Sequence, residues 1–254
     1  DVIQKINPKE PLLSGIYKQS TFDEKKYFEI FQVQSKLSGE ASVHYLYHFE
    51  EAIPQIKKYV GDIPIIIFLR NPVKRAISNI KFLKNTHQSS AEKELSRENE
   101  KIKKGFNSFW YYKSLGLYSK QVEAYLNNFS KVKIILFEDF IKSPQQEINK
   151  LYDFLEVAPY SLEEFYVHNK AKKKNRIFKF FVESGIIDFG KRIVGQKGTA
   201  IIRNNFSSKI TEEVKLSIKP ETIKSLEQYY KEDINCLETI TGIDLSIWKM
   251  KNEK

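Results

Sequence analysis

The residues best suited to chemistry in this sequence stand directly behind its most apolar segment. Arg70 follows the apolar run 63–69, and the next two residues, Asn71 and Pro72, are typical of the N-cap and first turn of a helix. Ser78 then lies about two turns into that helix. An arginine fork, the N–H groups of a helix start and a hydroxyl together suit a phosphate-like anion. We predict that Arg70 and Ser78 bind an anion; in the alternative, Arg70 pairs with a local carboxylate and Ser78 is an ordinary surface serine.

Two buried strands are predicted to position this site. Residues 63–69 and 132–137 are apolar runs without polar alternation, a pattern typical of strands buried on both faces and therefore of a parallel sheet. Ligands of open parallel sheets bind beyond the carboxyl ends of the strands, where Arg70 lies. Periodicity and capping predict helices after Thr21, at about 50–59, from Pro72, at about 108–128, from Ser143-Pro144 and at about 221–241, and a mobile loop or an exposed helix over 86–104. The predicted fold class is therefore α/β.

Composition limits the class of protein further. The chain has 254 residues, of which 41% are apolar and 13% aromatic, enough for a sizeable core. Its formal charge of +10 implies an anionic partner, such as a phosphorylated cofactor, a sulfated glycan, a membrane surface or a nucleic acid. Cys236 is the only cysteine, which excludes an intramolecular disulfide and a cysteine-based structural zinc site. No apolar run approaches the roughly twenty residues that span a bilayer.

The segment around Arg70 closely resembles the 3′-phosphate-binding motif of sulfotransferases that use 3′-phosphoadenosine 5′-phosphosulfate (PAPS). In that family a strand is followed by Arg-Asp-Pro, two variable residues and Arg-Ala-x-Ser. The string in this chain is Arg70-Asn71-Pro72-Val73-Lys74-Arg75-Ala76-Ile77-Ser78, with the family's spacing. Asn71 replaces the family's aspartate, and asparagine also caps helices. The resemblance implies that Arg70 and Ser78 bind the 3′-phosphate of the cofactor.

Weaker likenesses follow in the family's order over most of the chain. Residues 39–46 are similar to a Gly-Glu-x-Ser-Pro-x-Tyr-Leu element upstream of the strand, with Val43 in place of the proline. Residues 116–126 resemble the family's Gly-x-Tyr helix, residues 136–144 its second strand and Glu-Asp-Leu…Pro turn, and residues 233–248 the tail of bacterial members. Together these matches identify the chain as a member of the PAPS-dependent sulfotransferases, with motifs most like those of the glycan and bacterial branches.

The resemblance implies a P-loop-kinase-like, three-layer domain in which helices flank a central parallel sheet, with residues 1–254 in a single domain. The family holds the phosphosulfate with a glycine-rich strand–loop–helix, whose N–H groups and lysine stabilise the leaving phosphate. No loop of that type stands between Asp1 and Arg70, so we expect this first strand, loop and helix to precede residue 1. The expected cofactor is PAPS, the expected product is adenosine 3′,5′-bisphosphate, and no metal is expected.

The resemblance offers two candidates for the catalytic base that takes the proton of an acceptor hydroxyl. Lys9-Glu10-Pro11 resembles the Lys-Glu-Pro element whose glutamate is the base in glycan sulfotransferases, although the residues after Pro11 depart from the family pattern. His44 is the rival, because cytosolic sulfotransferases use a histidine. Either side chain must reach the hydroxyl directly or through one water. In the alternative, Glu10 is a solvated loop carboxylate and His44 is packed or hydrogen-bonded near the site.

Three further residues are predicted to bind the acceptor. Lys9 accompanies the candidate base Glu10, Glu40 is expected to orient Lys9 or the acceptor, and Tyr118 is expected to contact the acceptor. Their structural alternatives are also open, with Glu40 as a helix-cap carboxylate and Tyr118 as a core aromatic residue. The acceptor itself is expected to be a hydroxyl of a carbohydrate or of a lipid-linked glycan, with no nucleic acid as partner.

Two other functions stay open. A nucleotide-dependent kinase of the same fold would need a lysine-containing phosphate loop and acidic magnesium ligands, neither of which is evident. A basic nucleic-acid-binding protein would account for the charge, but no zinc-finger, RRM or KH motif is present. The abundance of Ile, Lys and Asn favours an AT-rich bacterial gene and a cytoplasmic enzyme, whereas a Golgi enzyme of a eukaryote would need an anchor before Asp1.

Overall fold

The computed structural model of this protein describes residues 23–29, 31, 37–83, 89–160, 172–174, 211–213 and 217–249. Helices and strands follow one another as α1 (Glu24–Glu29), α2 (Phe49–Val60), β1 (Ile65–Leu69), α3 (Pro72–Leu83), α4 (Ala91–Ser96), α5 (Glu98–Lys103), α6 (Ser119–Asn128), β2 (Val132–Leu136), α7 (Phe137–Lys142), α8 (Pro144–Leu155), β3 (Lys172–Lys174), β4 (Thr211–Glu213) and α9 (Pro220–Thr241). Short 3₁₀ helices lie at Ser108–Trp110, Ser114–Gly116 and Ser246–Trp248. The predicted α/β class is confirmed.

Strands β1 and β2 form the parallel pair that positions the site. Ile65 aligns with Val132 and Leu69 aligns with Leu136, so the two strands are in register along their whole length. Their carboxyl ends therefore meet at one edge, and the residue that follows β1 there is Arg70. A separate antiparallel pair, β3 with β4, lies later in the chain.

The prediction that the first strand is buried on both faces is wrong. Ile67 and Leu69 are buried in the core, but Ile66 and Phe68 on the opposite face are 37% and 48% exposed. Phe140 of α7 packs edge-to-face on Phe68, with ring centroids 5.5 Å apart, and covers that face only in part. An unbroken apolar run shows that both faces of a strand tolerate burial, but how far each face is covered depends on elements distant in sequence.

Helix α3 begins as the sequence predicts. The Asn71 side-chain Oδ1 accepts a hydrogen bond from the Lys74 backbone N–H at 3.0 Å, and the Asn71 carbonyl accepts one from the Arg75 N–H at 2.9 Å. Asn71 is therefore the N-cap, and Pro72 occupies the first turn, where its missing N–H is harmless. The helix buries the face formed by Pro72, Val73, Ala76, Ile80 and Leu83.

The polar segment 86–104 is helical over most of its described residues, as one of the two predicted alternatives has it, but its helices are exposed on one side only. It forms α4 and α5, and it buries two carboxylates, those of Glu94 and Glu98. Glu94 accepts a hydrogen bond from the Tyr112 hydroxyl at 3.0 Å and pairs with Lys101. Burial of a charged group requires such partners, and a partner elsewhere in the chain leaves no trace in the local sequence pattern.

The aromatic helix predicted at about 108–128 is shorter than predicted, because only residues from Ser119 onward are α-helical. The Glu98 carboxylate accepts hydrogen bonds from the backbone N–H groups of Lys113 at 2.6 Å and Ser114 at 2.9 Å. These two N–H groups are thus satisfied by a side chain rather than by carbonyls four residues earlier. The chain consequently enters α6 through 3₁₀ turns.

The C-terminal helix α9 confirms the predicted helix at about 221–241 and is fastened to α6. It ends at Gly242, whose φ of +67° is in the left-handed region that glycine adopts without strain. The Asp233 carboxylate accepts hydrogen bonds from the backbone N–H groups of Tyr118 at 2.7 Å and Ser119 at 3.2 Å, so it caps α6 from another element. No helix in the described part of the chain is both long and apolar enough to cross a membrane.

Candidate functional site

Arg70 leaves β1 at the carboxyl edge of the parallel pair and lies beside the residue that follows β2. Its guanidinium carbon is 4.9 Å from the centroid of the Phe137 ring, within cation–π range. The Arg70 Nε is buried and has no hydrogen-bond partner within the described ranges. A buried donor without a partner destabilises a protein unless a ligand or water completes it. Arg70 therefore offers a donor to an anion just ahead of the first turn of α3.

Glu138, shortly after β2, fixes the start of this motif. Its Oε1 accepts a hydrogen bond from the Asn71 backbone N–H at 3.1 Å, and its Oε2 accepts one from Trp248 Nε1 at 3.1 Å. Asn71 Nδ2 in turn donates to the Trp248 carbonyl at 3.4 Å. One carboxylate thus joins the residue after Arg70 to the C-terminal part of the chain. The sequence places Glu138 only within a turn that resembles the family.

Tyr118 lies beneath Arg70. Its ring is buried, and its hydroxyl donates to the Arg70 carbonyl at 3.1 Å. This contact fixes the backbone of Arg70, while contact between Tyr118 and an acceptor stays a prediction. Ser78 is exposed on α3, the same helix that Arg70 precedes.

Arg75, the second arginine of the motif, turns inward. It donates through a terminal nitrogen to the Tyr112 carbonyl, and its Nε is buried without a partner in the described part of the chain. The Tyr230 hydroxyl donates nearby to the Lys113 carbonyl at 3.0 Å. Arg75 therefore ties α3 to the segment that Glu98 holds in place.

A second polar cluster surrounds His44. The turns at 43–48 lead into α2, and the His48 N–H donates to the His44 carbonyl at 3.0 Å, so both side chains lie on one side of a helical turn. The Ser108 Oγ is 2.8 Å from His44 Nδ1 and 3.0 Å from His48 Nε2. The other ring nitrogen of His48, Nδ1, is 4.0 Å from a Glu51 carboxylate oxygen. His44 Nε2 is buried and has no partner in the described structure.

The environment of His44 keeps its imidazole neutral. Burial is the main cause that lowers the pKa of His44 to about 4, and the neighbouring His48 and Arg75 lower it further. Burial also lowers the pKa of His48, while the Glu51 carboxylate opposes that effect. At neutral pH the His44 imidazole therefore has one nitrogen available to accept a proton.

Glu40 is exposed and is held by tyrosine hydroxyls. Tyr27 donates to its carboxylate, and burial together with this hydrogen bond raises the pKa of Tyr27 to about 12. Tyr45 also hydrogen-bonds to Glu40, which adds to the effect of burial in raising the pKa of Tyr45. Lys9 and Glu10 lie outside the described residues, so the base role of Glu10 and the contacts of Lys9 stay predictions.

The sequence alone does not identify four residues that position the candidate site: Glu138, Trp248, His48 and Ser108. For His48 a signal exists, because His44 and His48 are four residues apart and share one side of a helical turn. Ser108 has no such signal, since it is separated from His48 by 60 positions. Within the described residues, no group of three His, Cys, Asp or Glu side chains is arranged to hold a metal ion.

These features define an α/β protein whose candidate anion site lies at the carboxyl end of its parallel strands. Residues 54–237 match the sulfotransferase domain family, and the chain belongs to this family. It is therefore an enzyme, a transferase of sulfuryl groups, as the motifs predict.

A solved structure agrees with this assignment. The crystal structure of a sulfotransferase from Alicyclobacillus acidocaldarius matches with a TM-score of 0.70 and 25% sequence identity. The match covers 97% of this chain and 83% of that chain. None of the curated proteins compared with the chain matches it.

Proposed function

We propose that this enzyme transfers a sulfuryl group from PAPS to a hydroxyl of a carbohydrate or a lipid-linked glycan. The observation that carries the proposal is Arg70, whose buried Nε beside the start of α3 has no partner among the residues that the structure describes. A guanidinium next to a helix N-terminus suits a phosphate dianion better than a neutral ligand. Family membership supports the reaction class, and the Arg70 environment supports a phosphorylated donor.

The residues around Arg70 fit the 3′-phosphate of the cofactor. Arg70 would donate from Nε and its terminal nitrogens, with Ser78 and the N–H groups of the first turn of α3 as further donors. Asn71, Glu138 and Tyr118 would keep those donors in place through the contacts that they make to the motif backbone. When bound, PAPS would supply the activated sulfuryl group, and adenosine 3′,5′-bisphosphate would be the product.

The base in this proposal is His44 or Glu10. For His44, the support is a neutral imidazole whose buried Nε2 has no partner in the described part of the chain. For Glu10, the support is its resemblance to the glutamate of the glycan enzymes. A base at either position would take the acceptor proton as the hydroxyl oxygen becomes nucleophilic.

A carbohydrate acceptor is supported by the motifs and by the polar groups near His44. Glu40 is exposed with tyrosine hydroxyls around its carboxylate, an arrangement suited to hydrogen bonds with sugar hydroxyls. Lys9 is proposed as a second polar contact. The charge of +10 favours a donor that carries several phosphate charges and is compatible with an anionic acceptor.

Binding of adenosine 3′,5′-bisphosphate by isothermal titration calorimetry, without magnesium, tests the proposal. We expect the wild-type protein to bind this bisphosphate in preference to ATP. Replacement of Arg70 by alanine should weaken binding by about 2–3 kcal/mol, roughly 30- to 150-fold, because charge-assisted hydrogen bonds to the phosphate are lost. Arg97→Ala is the matched control, since Arg97 is half exposed and pairs with Glu100 on another surface.

The outcomes of this titration separate the three functions. Unchanged affinity in Arg70→Ala would refute the phosphate site at Arg70. Preference for ATP with magnesium would indicate a kinase instead. Salt-sensitive binding of DNA without any bisphosphate binding would indicate a nucleic-acid-binding protein.

A further inference from the structure

We propose that His48 and Ser108 form a directional hydrogen-bond chain, oriented by the charge of the Glu51 carboxylate, that holds the His44 proton on Nδ1 and leaves His44 Nε2 as a proton acceptor. The position of the proton on His44 follows from the geometry of this chain. Its use in sulfuryl transfer rests on the proposed function. Ser108, His48 and Glu51 are then positioning residues, because they act through His44.

The first step is that Ser108 bridges two imidazoles. Its Oγ is within hydrogen-bond distance of His44 Nδ1, at 2.8 Å, and of His48 Nε2, at 3.0 Å. Ser108 is buried, so water competes little for either contact. The side chains of His44 and His48 leave the same helical turn and converge on this single oxygen.

The second step is a count of protons. A hydroxyl has one proton to donate, so Ser108 donates to one imidazole and must accept from the other if both contacts are hydrogen bonds. A neutral imidazole has one N–H and one lone pair. Two arrangements of the chain are therefore possible, and they run in opposite directions.

Glu51 selects between the two arrangements. Its carboxylate accepts hydrogen bonds and cannot donate, and it lies 4.0 Å from His48 Nδ1. Its negative charge favours a proton on that nitrogen. His48 Nε2 is then a lone pair that accepts the Ser108 hydroxyl proton, and Ser108 Oγ accepts the N–H of His44 Nδ1. The lone pair of His44 consequently lies on Nε2.

The surroundings of His44 agree with this direction. His44 Nε2 is buried, and no donor or acceptor contacts it among the described residues. The positive charge of Arg75 lies close enough to disfavour a second proton on the ring. The ring is therefore neutral, with one N–H and one lone pair.

The same chain gives the proton a path. When His44 Nε2 accepts the proton of an acceptor hydroxyl, the Nδ1 proton passes to Ser108 Oγ, and the original Ser108 proton passes to His48 Nε2. One proton enters at His44 and one is gained at His48, so the positive charge ends beside Glu51. Because Glu51 is exposed, His48 can then release its proton to solvent.

Long-range ¹H–¹⁵N spectra of the protein with ¹⁵N-labelled histidine test the hydrogen-bond chain. They need neither a sulfuryl donor nor an acceptor substrate. The His44→Gln variant assigns the His44 signals among the four histidines. We expect wild-type His44 to carry its proton on Nδ1. In Ser108→Ala the population should shift toward the Nε2–H form that a solvent-exposed histidine side chain prefers in water. Glu51→Gln, at an exposed position, should shift it in the same direction without a risk to folding.

Ser96→Ala is the matched control, because Ser96 is exposed on α4 and its hydroxyl bonds only locally, to the Lys93 carbonyl. It should leave the His44 signals unchanged. A proton on Nε2 of wild-type His44 would overturn the proposal. So would Ser108→Ala and Glu51→Gln spectra in which the His44 tautomer is the same as in the wild type.

Turnover separates this proposal from the proposed function. In a sulfuryl-transfer assay, Ser108→Ala should lower kcat by at least about tenfold while the affinity for adenosine 3′,5′-bisphosphate stays the same. If the bisphosphate binds normally but His44 has its proton on Nε2, the hydrogen-bond chain is refuted and the proposed function is not. If His44 has its proton on Nδ1 but the protein does not bind the bisphosphate, the hydrogen-bond chain stands and PAPS is refuted as the sulfuryl donor.

Discussion

Glu138 fixes the backbone of the candidate anion site through two hydrogen bonds. Both of its carboxylate oxygens are occupied, one by the Asn71 backbone N–H and the other by the Trp248 indole N–H. A charged acceptor forms stronger hydrogen bonds than a neutral one, so it restrains the backbone just after Arg70 effectively. Glu138, near the end of the neighbouring strand, thus fixes the position at which Arg70 and the first turn of α3 meet.

Replacement of Glu138 by alanine should loosen this motif. Two donors lose their acceptor, which we expect to lower the free energy of unfolding by about 1–3 kcal/mol and to weaken bisphosphate binding several-fold. Urea denaturation and calorimetric titration measure the two effects. Asp139→Ala is the control, since Asp139 is the exposed neighbour of Glu138. Equal behaviour of the two variants would contradict the role given to Glu138.

At this scale the sequence predicts the place of Arg70 in the fold better than it predicts the residues that support Arg70. Arg70 can be placed at the edge of the sheet because its signal is local, an apolar run followed by Asn71 and Pro72. Ser108 and Glu138 act through contacts with residues more than 60 positions away, which no local pattern encodes. The spacing of four residues between His44 and His48 predicts that both side chains lie on one side of a helical turn. It does not predict that Ser108 contacts them.

The local sequence likewise predicts some helices and strands correctly and others not. Helices α3 and α9 and strands β1 and β2 are predicted correctly because caps and apolar periodicity specify them locally. The segment before α6 is not, because the buried Glu98 carboxylate takes the backbone N–H groups that an α-helix would use. A tertiary contact there overrides the helical tendency of the aromatic sequence.

Gly116 marks the closest approach between these elements. A Cβ at this position would lie 2.9 Å from a Tyr230 ring carbon and 3.0 Å from the Pro72 Cβ. Tyr230 is fully buried, and Pro72 begins α3, so neither neighbour has room to withdraw. Gly116→Ala should therefore lower the free energy of unfolding by about 1–3 kcal/mol through overpacking. Chemical denaturation measures this change.

Gly39→Ala provides the comparison for that variant. Gly39 is exposed, and a Cβ there would meet nothing within 4 Å. Its effect should stay within about 0.5 kcal/mol, as for ordinary surface substitutions. If Gly116→Ala were equally mild, the packing of α9 and α3 against this turn would be looser than the structure shows.

In the molecule as a whole, the C-terminal part is linked to the segment that follows β1. Asp233 of α9 caps α6, whose preceding residue Tyr118 bonds to the Arg70 carbonyl, and Trp248 bonds to Glu138. Elements far apart in the sequence thus converge on the few residues after β1. These contacts hold the segment after a short parallel pair from several sides.

Stability of the whole molecule should depend on pH through His44. Its pKa is about 4 in the folded protein and 6.5 when unfolded, so the unfolded chain binds more protons between these values. The stabilising contribution is complete above about pH 6.5 and is lost as the pH falls toward 4, a total on the order of 3 kcal/mol. Lowering the pH from about 7 to about 5 should remove about 2 kcal/mol of it, measured by urea denaturation at each pH.

The His44→Gln variant isolates this contribution. His48, whose pKa burial also lowers, adds to the wild-type dependence with the same sign and remains in the variant. Exposed carboxylates with a lowered pKa, such as Glu100, lose their contribution only as the pH falls below about 4.5, outside the measured window. The difference between wild type and variant should therefore shrink as the pH decreases from 7 to 5, because only the wild type loses the contribution of a neutral, buried His44. A difference that is constant with pH would show that His44 titrates at its ordinary value, and the neutral imidazole on which the proton chain depends would be lost at mildly acidic pH.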